Sequence, residues 1–176
     1  YFGILRKRDI CYSLILSILH SANLDHQSFL VRDIGFVAGN ISHTLGIDFD
    51  TWTIQPEVCR YGDSEDPYAF KIAIATIGNS KLELISPTGG ESHLNDHLTE
   101  KGEGYHHSGI AYSDYGAFEV AKTGLLQQGY LSIQSGKTKA HFEFDYSKLA
   151  SASMIIELLW VEKMPESDGK ILNHQN

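Results

Sequence analysis

The chain repeats itself, and the repeat limits what it can become. The segment His26-Gln27-Ser28-Phe29-Leu30-Val31-Arg32-Asp33 aligns with His107-Ser108-Gly109-Ile110-Ala111-Tyr112-Ser113-Asp114, with both histidines and both aspartates 81 residues apart. Each copy reads as a short strand running into a turn. A helix-length stretch follows each aspartate, over 34–45 before Gly46 and over 115–128 before Gly129. The aspartates suit helix N-caps and the glycines suit C-terminal stops. Strand-like segments come next, at 51–59, 69–77 and 81–86 in the first half and at 130–134, 139–145 and 153–161 in the second. Both halves therefore read βαβββ, an α+β arrangement. The last strands also match, Leu82-Glu83-Leu84-Ile85 against Ile156-Glu157-Leu158-Leu159, at an offset of 74. The longer connection 60–68, rich in Gly, Asp, Ser and Pro, accounts for the seven-residue difference. The organisation expected is an N-terminal extension (1–24), module one (25–86), a linker (87–105) with a polar helix at 91–101, module two (106–162) and a tail (163–176).

Glu83 and Glu157 each sit inside an apolar strand, where an ionised carboxylate is costly to bury unless a cation or strong hydrogen bonds compensate. Period-2 alternation turns Glu83 away from Leu82 and Leu84, and Glu157 away from Ile156 and Leu158. One such residue is ordinarily a strand glutamate facing water, just as a lone strand-end histidine is ordinarily a surface residue. Two glutamates at matching positions, each in a module whose first strand opens with histidine, point to four side chains converging on one place. Two neutral imidazoles and two carboxylates suit one divalent ion, with Zn, Ni, Co, Mn or Fe all compatible with the ligand types. An octahedral ion would keep two positions open, and open positions belong to catalysis rather than structure.

The formal charge of −8 comes with no Lys/Arg run beyond Arg6-Lys7-Arg8, which argues against nucleic acid as a partner. Cys11 and Cys59 are the two cysteines and lack CxxC spacing, so neither a disulfide framework nor a thiolate zinc site is indicated, and a reducing cytoplasm is the default. The basic triplet followed by the apolar run 10–19 faintly resembles an export signal, but Tyr12, Ser13 and Ser17 interrupt it. A docking helix or an extension is the preferred reading, and the run is too short to span a bilayer. A small-molecule substrate is the expected partner, with no membrane and a homodimer left open.

The opening Asp25-His26 with Val31-Arg32-Asp33, the stretch Ile77-Gly78-Asn79-Ser80-Lys81-Leu82-Glu83-Leu84-Ile85-Ser86-Pro87, and Lys101-Gly102-Glu103-Gly104-Tyr105-His106-His107 resemble the vicinal-oxygen-chelate superfamily. The likeness is to its methylmalonyl-CoA epimerase and glyoxalase-like branch and covers about residues 25–162. It implies two βαβββ modules forming a curved mixed sheet around a metal-lined cavity, the glyoxalase/bleomycin resistance/dioxygenase fold. Carried over by position, it implies His26, Glu83, His107 and Glu157 as ligands. The chain departs from the epimerase pattern before the final strand, where Glu143-Phe144-Asp145-Tyr146-Ser147-Lys148 replaces a His-Pro-Lys-Asp-like segment.

His93 and His97 are spaced i, i+4 on the linker helix, but no glutamate follows His93 to complete an HExxH motif. With Asn95, Asp96 and Glu100 around them they read as a solvated face. His106 is expected on the other side of its strand from His107. Trp52 and Arg60 read either as contacts for a flat or anionic substrate or as rim residues. The chemistry expected is that of a metal-dependent lyase or isomerase that forms an enolate from a carbonyl or acyl-thioester substrate, with Glu157 as the base and Glu83 as its alternative. A non-haem Fe(II) ring-cleaving dioxygenase using His26, His107 and Glu157 is the first rival, and Glu83 as a fourth ligand argues against it. A non-catalytic drug-binding protein is the second.

Overall fold

The computed structural model describes residues 22–139 and 142–172, so the basic and apolar segment over 1–21 lies outside the described residues. The first half runs β1 (Ala22–Leu30), α1 (Ile34–Leu45), β2 (Phe49–Ile54), β3 (Val58–Tyr61), β4 (Ala69–Ile77) and β5 (Ser80–Gly89). Helix α2 (His93–Glu100) connects it to β6 (Gly104–Tyr112), α3 (Tyr115–Gln127), β7 (Tyr130–Thr138), β8 (Phe142–Leu149) and β9 (Ile155–Val161), with β10 (Gly169–Ile171) beyond. Both long helices begin as the sequence predicts. Asp33 Oδ1 accepts from the Phe36 N–H at 2.9 Å and Asp114 Oδ1 from the Ala117 N–H at 2.8 Å, satisfying donors that the first helical turn leaves free. Helix α1 ends at Gly46, whose φ of 69° is left-handed and whose N–H bonds to Ser42 O.

Among the described residues all ten strands lie in one mixed sheet, ordered β10-β2-β4-β5-β1-β6-β9-β8-β7-β3. The two modules meet at the antiparallel β1–β6 pair, and each of these strands has its own module's last strand parallel on its other side, β5 beside β1 and β9 beside β6. Strands β2 and β3 are separated by residues 55–57 alone, yet they stand near opposite ends of the sheet. A chain that short reaches roughly 14 Å, so the sheet has to curl until its edges approach. The curvature makes a cup.

The single strand expected over 51–59 is thus two strands, and the second of them pairs with β7 of the other module. Pro56 lies at the break. It has no N–H to give a ladder, so the chain can leave one edge there and join the other. Strand β10, which pairs with β2 from within the C-terminal segment, was not anticipated either.

Side-chain alternation sorts the core into layers. On the convex side α1 packs Ile34 and Ala38 against Phe49, Ala73 and Leu84, while α3 packs Ala117 and Phe118 against Tyr112 and Leu158. On the concave side Leu30, Phe70, Ile85, Phe144, Ile155 and Leu159 form the main cluster. Leu84 and Leu158 serve the helices while Ile85 and Leu159 serve the cup, so Glu83 and Glu157, two residues before the latter pair, point into the cup. Among the described residues no helix is long and apolar enough to cross a membrane.

Candidate metal centre

Strands β1 and β6 each carry one irregularity in their mutual pairing. His26 faces Gly109 and Leu24 faces Ile110, which leaves Asp25 as an extra residue; Ser28 faces His107 and Phe29 faces Tyr105, which leaves His106 as an extra residue. Asp25 and His106 occupy equivalent places in the repeat, each just before the histidine of its module. A bulge interrupts strict alternation. His106 and His107 are therefore both buried, where an unbroken strand would send one of them to each face.

The four residues singled out from the repeat come together. His26 Nε2 and His107 Nε2 are 3.0 Å apart, and Glu157 Oε2 lies 3.1 Å from the first and 3.3 Å from the second. Glu83 Oε2 approaches the same two nitrogens from farther out, at 3.5 and 3.6 Å. The tightest set is His26, His107 and Glu157, whose ligand atoms all lie within 4.8 Å of one another. All four side chains are buried.

Two carboxylates in so dry a place demand positive charge. A buried Ile or Phe stabilises by roughly 1.5–3 kcal/mol, whereas an unpaired buried ion costs several, so the surrounding core cannot absorb two uncompensated glutamates. Burial works against a charged His26, but the Glu83 charge, the bond to Asp25 and the contact with Glu157 overcome it and push the imidazole up to about 11. Burial would likewise raise Glu157, yet His107 and His26 outweigh it and hold the carboxyl down at about 2. A divalent cation supplies the same compensation to this donor set. Two imidazole nitrogens and two carboxylate oxygens facing one point fit such an ion by ligand type and by number.

The atoms behind the histidines decide which nitrogen faces inward. His26 Nδ1 lies 3.1 Å from Asp25 Oδ2, and Asp25 Oδ1 accepts from Lys81 Nζ at 2.7 Å. A carboxylate only accepts, so Nδ1 carries a hydrogen in either charge state, and Nε2 is the nitrogen that would give its proton up to a cation. His107 Nδ1 instead lies 2.8 Å from His106 Nδ1. Gly109 makes room for all of this. A Cβ there would fall 2.3 Å from His26 Cε1, so the ring can lie across β6 only where no side chain stands.

The centre opens on a cavity of about 680 Å³, lined among others by His26, Glu83 and Glu157, with Trp52, Phe70 and Leu159 on its apolar walls. Trp52 also donates from Nε1 to Pro165 O at 3.0 Å. Arg60 does not line this cavity and bonds to Ser132 Oγ instead.

No family model matches the chain, and no curated protein matches it. Solved structures do. A hypothetical protein from Bacillus halodurans C-125 superposes with a TM-score of 0.59 at 21% identity, covering 83% of this chain and 99% of that one. Methylmalonyl-CoA epimerase from Mycobacterium tuberculosis gives 0.55 at 17%, covering 80% and 88%. A variant of Streptomyces coelicolor methylmalonyl-CoA epimerase in complex with 2-nitronate-propionyl-CoA gives 0.56 at 16%, covering 81% and 97%. The fold is that of the vicinal-oxygen-chelate superfamily.

Within this cup, some neighbours of the centre escaped the sequence reading. Tyr146 faces Glu157 across β8 and β9, and its ring centroid lies 4.9 Å from that of His107. Complete burial, and next the Glu157 and Glu83 charges, push its phenol well above the ordinary tyrosine range. It stays protonated, a potential proton donor beside the carboxylates. In sequence it is one aromatic in an alternating strand and reads as core. Gly109 and His106 were equally hidden, because a bulge leaves no residue signature of its own.

His93 and His97 contradict their expected solvated face. Helix α2 turns Leu94, His97 and Leu98 inward, so His97 is buried and His93 half-buried. The i, i+3, i+4 spacing of these three is a core-facing stripe, a signal that the polar residues between them obscured.

Proposed function

We propose that this chain is a metal-dependent isomerase or lyase that works through an enolate on a small carbonyl or acyl-thioester substrate. The observation that carries the reading is the meeting of two imidazoles and two buried carboxylates, of which His26, Glu83 and Glu157 line a cavity large enough for a small organic ligand. Similarity of fold to methylmalonyl-CoA epimerases, one of them in complex with methylmalonyl-CoA, is consistent with an acyl thioester as the substrate class.

His26, His107, Glu83 and Glu157 would hold the divalent ion, which when bound supplies Lewis acidity toward substrate oxygens. Glu157 is assigned as the base. It lines the cavity from which a carbon acid would approach, and the imidazoles beside it keep it ionised. Tyr146, kept protonated at the same place, donates a hydrogen bond or a proton where charge develops. Phe70, Ile72 and Leu159 exclude water from the reacting atoms.

Elemental analysis of the purified chain tests the metal, with at least one divalent ion per chain expected. Solvent-deuterium exchange tests the chemistry, with methylmalonyl-CoA and a 2-oxo or hydroxyacyl compound as probes. Exchange at the α-carbon should proceed without oxygen uptake and fall by about a hundred- to ten-thousand-fold in Glu157→Gln, which keeps the shape and an oxygen donor but loses basicity. If exchange survived there and vanished in Glu83→Gln, the base would belong to the first module. Oxygen consumed in step with turnover would replace the enolate reading with the dioxygenase.

A further inference from the structure

Behind the centre lies a second group of histidines that the proposed chemistry does not use. His93 and His97 come from successive turns of α2, and His106 is the bulged residue of β6. One ring nitrogen of each lies within 4.8 Å of the others, and the ring centroids are 6.0, 5.4 and 4.8 Å apart. Each ring also carries a buried nitrogen with no hydrogen-bond partner among the described residues: His93 Nε2, His97 Nδ1 and His106 Nε2. Unpartnered buried polar atoms are rare, and three in one cluster of rings are harder to explain as packing than one would be.

The surroundings hold this geometry. Ser92 makes no side-chain cap bond to α2; instead Gln134 Oε1, from β7, accepts from the His93 N–H at 2.8 Å and pins the start of the helix. Leu94 and Leu98 bury the adjoining face of α2 in the main core. His106 is fixed from behind by His107. Lys101 and Lys148 act on the rings more strongly than Asp96 and Glu100 do, so a cation here would be held by the imidazole nitrogens and not by the surrounding charge.

We propose that His93, His97 and His106 form a second divalent-cation site, a three-imidazole site of the kind that zinc takes, which ties helix α2 to the second module. Three imidazoles leave a fourth tetrahedral position for water or an exogenous ligand. This site stands apart from the first centre, whose donor set of two carboxylates and two imidazoles favours higher coordination.

The difference in coordination separates the two sites experimentally. Chelator-stripped full chain is titrated with Co(II), whose tetrahedral complexes absorb visible light far more strongly than its octahedral ones. His26→Ala impairs the first centre and should leave one Co(II) per chain with the strong tetrahedral bands. Adding His93→Ala should remove those bands at least tenfold in apparent affinity while far-UV circular dichroism is unchanged. Strong bands absent from folded His26→Ala, or persisting undiminished after His93→Ala, would overturn the site. If His26→Ala does not fold, the pair Glu83→Gln with Glu157→Gln keeps the shape of the first centre and gives the same reading. A failure of metal binding at the first centre alone would leave the tetrahedral signal intact, so the two proposals fail separately.

Discussion

Asp25 and His106 hold the same place in the two modules, each the extra residue of a bulge and each in contact with the Nδ1 of the histidine that follows it. Their chemistry differs. Asp25 is an anion steadied by Lys81 and open to solvent on one side, so it settles where the His26 hydrogen sits. His106 is a buried imidazole that can either give or receive a hydrogen, so by itself it leaves His107 undecided. The repeat thus preserves a mechanical feature, a bulge that lets two neighbouring residues serve one site, while the residue filling it is free to change. One module ends at that supporting residue. The other continues into a second cluster.

The strongest way to break this comparison is to remove a ligand and its support separately. His107→Ala should abolish stoichiometric metal at the first centre, whereas His106→Ala should weaken affinity by tens-fold, as measured by competition with a chelator. Equal losses would mean that His106, not its position behind His107, is the ligand. A nearly comparable effect is expected from Gly109→Ala, because the new Cβ would displace the His26 ring; affinity should drop about a hundred-fold, with roughly 1–3 kcal/mol of stability lost to overpacking. Its counterpart in the first module, Ser28, should tolerate alanine with metal binding intact, since its Oγ makes no hydrogen bond among the described residues. Wild-type affinity in Gly109→Ala would show that the ring does not need that space.

Asp25→Asn probes the support of the first module directly. Outer partners of metal-bound histidines are typically worth ten- to a hundred-fold in affinity, and the loss here should lie at the low end because the amide can still accept. No change in affinity would mean that Lys81 and Asp25 are only a surface pair. The smallest effects are expected at the helix caps, where Asp33→Ala and Asp114→Ala should each cost about 1 kcal/mol in thermal unfolding and leave metal content alone. A cap that lowered metal content would show that its helix helps to hold the centre.

These pairings also explain what could be read from the residues beforehand. His26 with His107, Asp33 with Asp114 and Glu83 with Glu157 recur at near-constant offsets because each does the same geometric work twice, and recurrence is visible in one sequence. The path of β3 was not, because its partner lies in the other module and only Pro56 marks the departure. Helix α2 was placed within two residues at its start and one at its end, but its buried face was misjudged where charged residues outnumbered Leu94 and Leu98. Tyr146 offered no cue, since its role depends on facing Glu157 across the sheet.

The 2.8 Å contact between His106 Nδ1 and His107 Nδ1 has room for a single hydrogen. If His107 turns its lone pair toward the first centre, it donates that hydrogen, and His106 must then carry its own on Nε2, the nitrogen left without a partner among the described residues. If His106 Nε2 is given to a cation, the hydrogen reverses and His107 Nε2 becomes protonated. Neutral, the pair can serve one ion at a time. If both proposed sites take a cation, they compete for one tautomer, and occupancy of either should weaken the other by the same factor, a reciprocity measurable from both directions. A chain built from two copies of one module would in this way have acquired antagonism between its halves, through the one supporting residue in which the copies differ most.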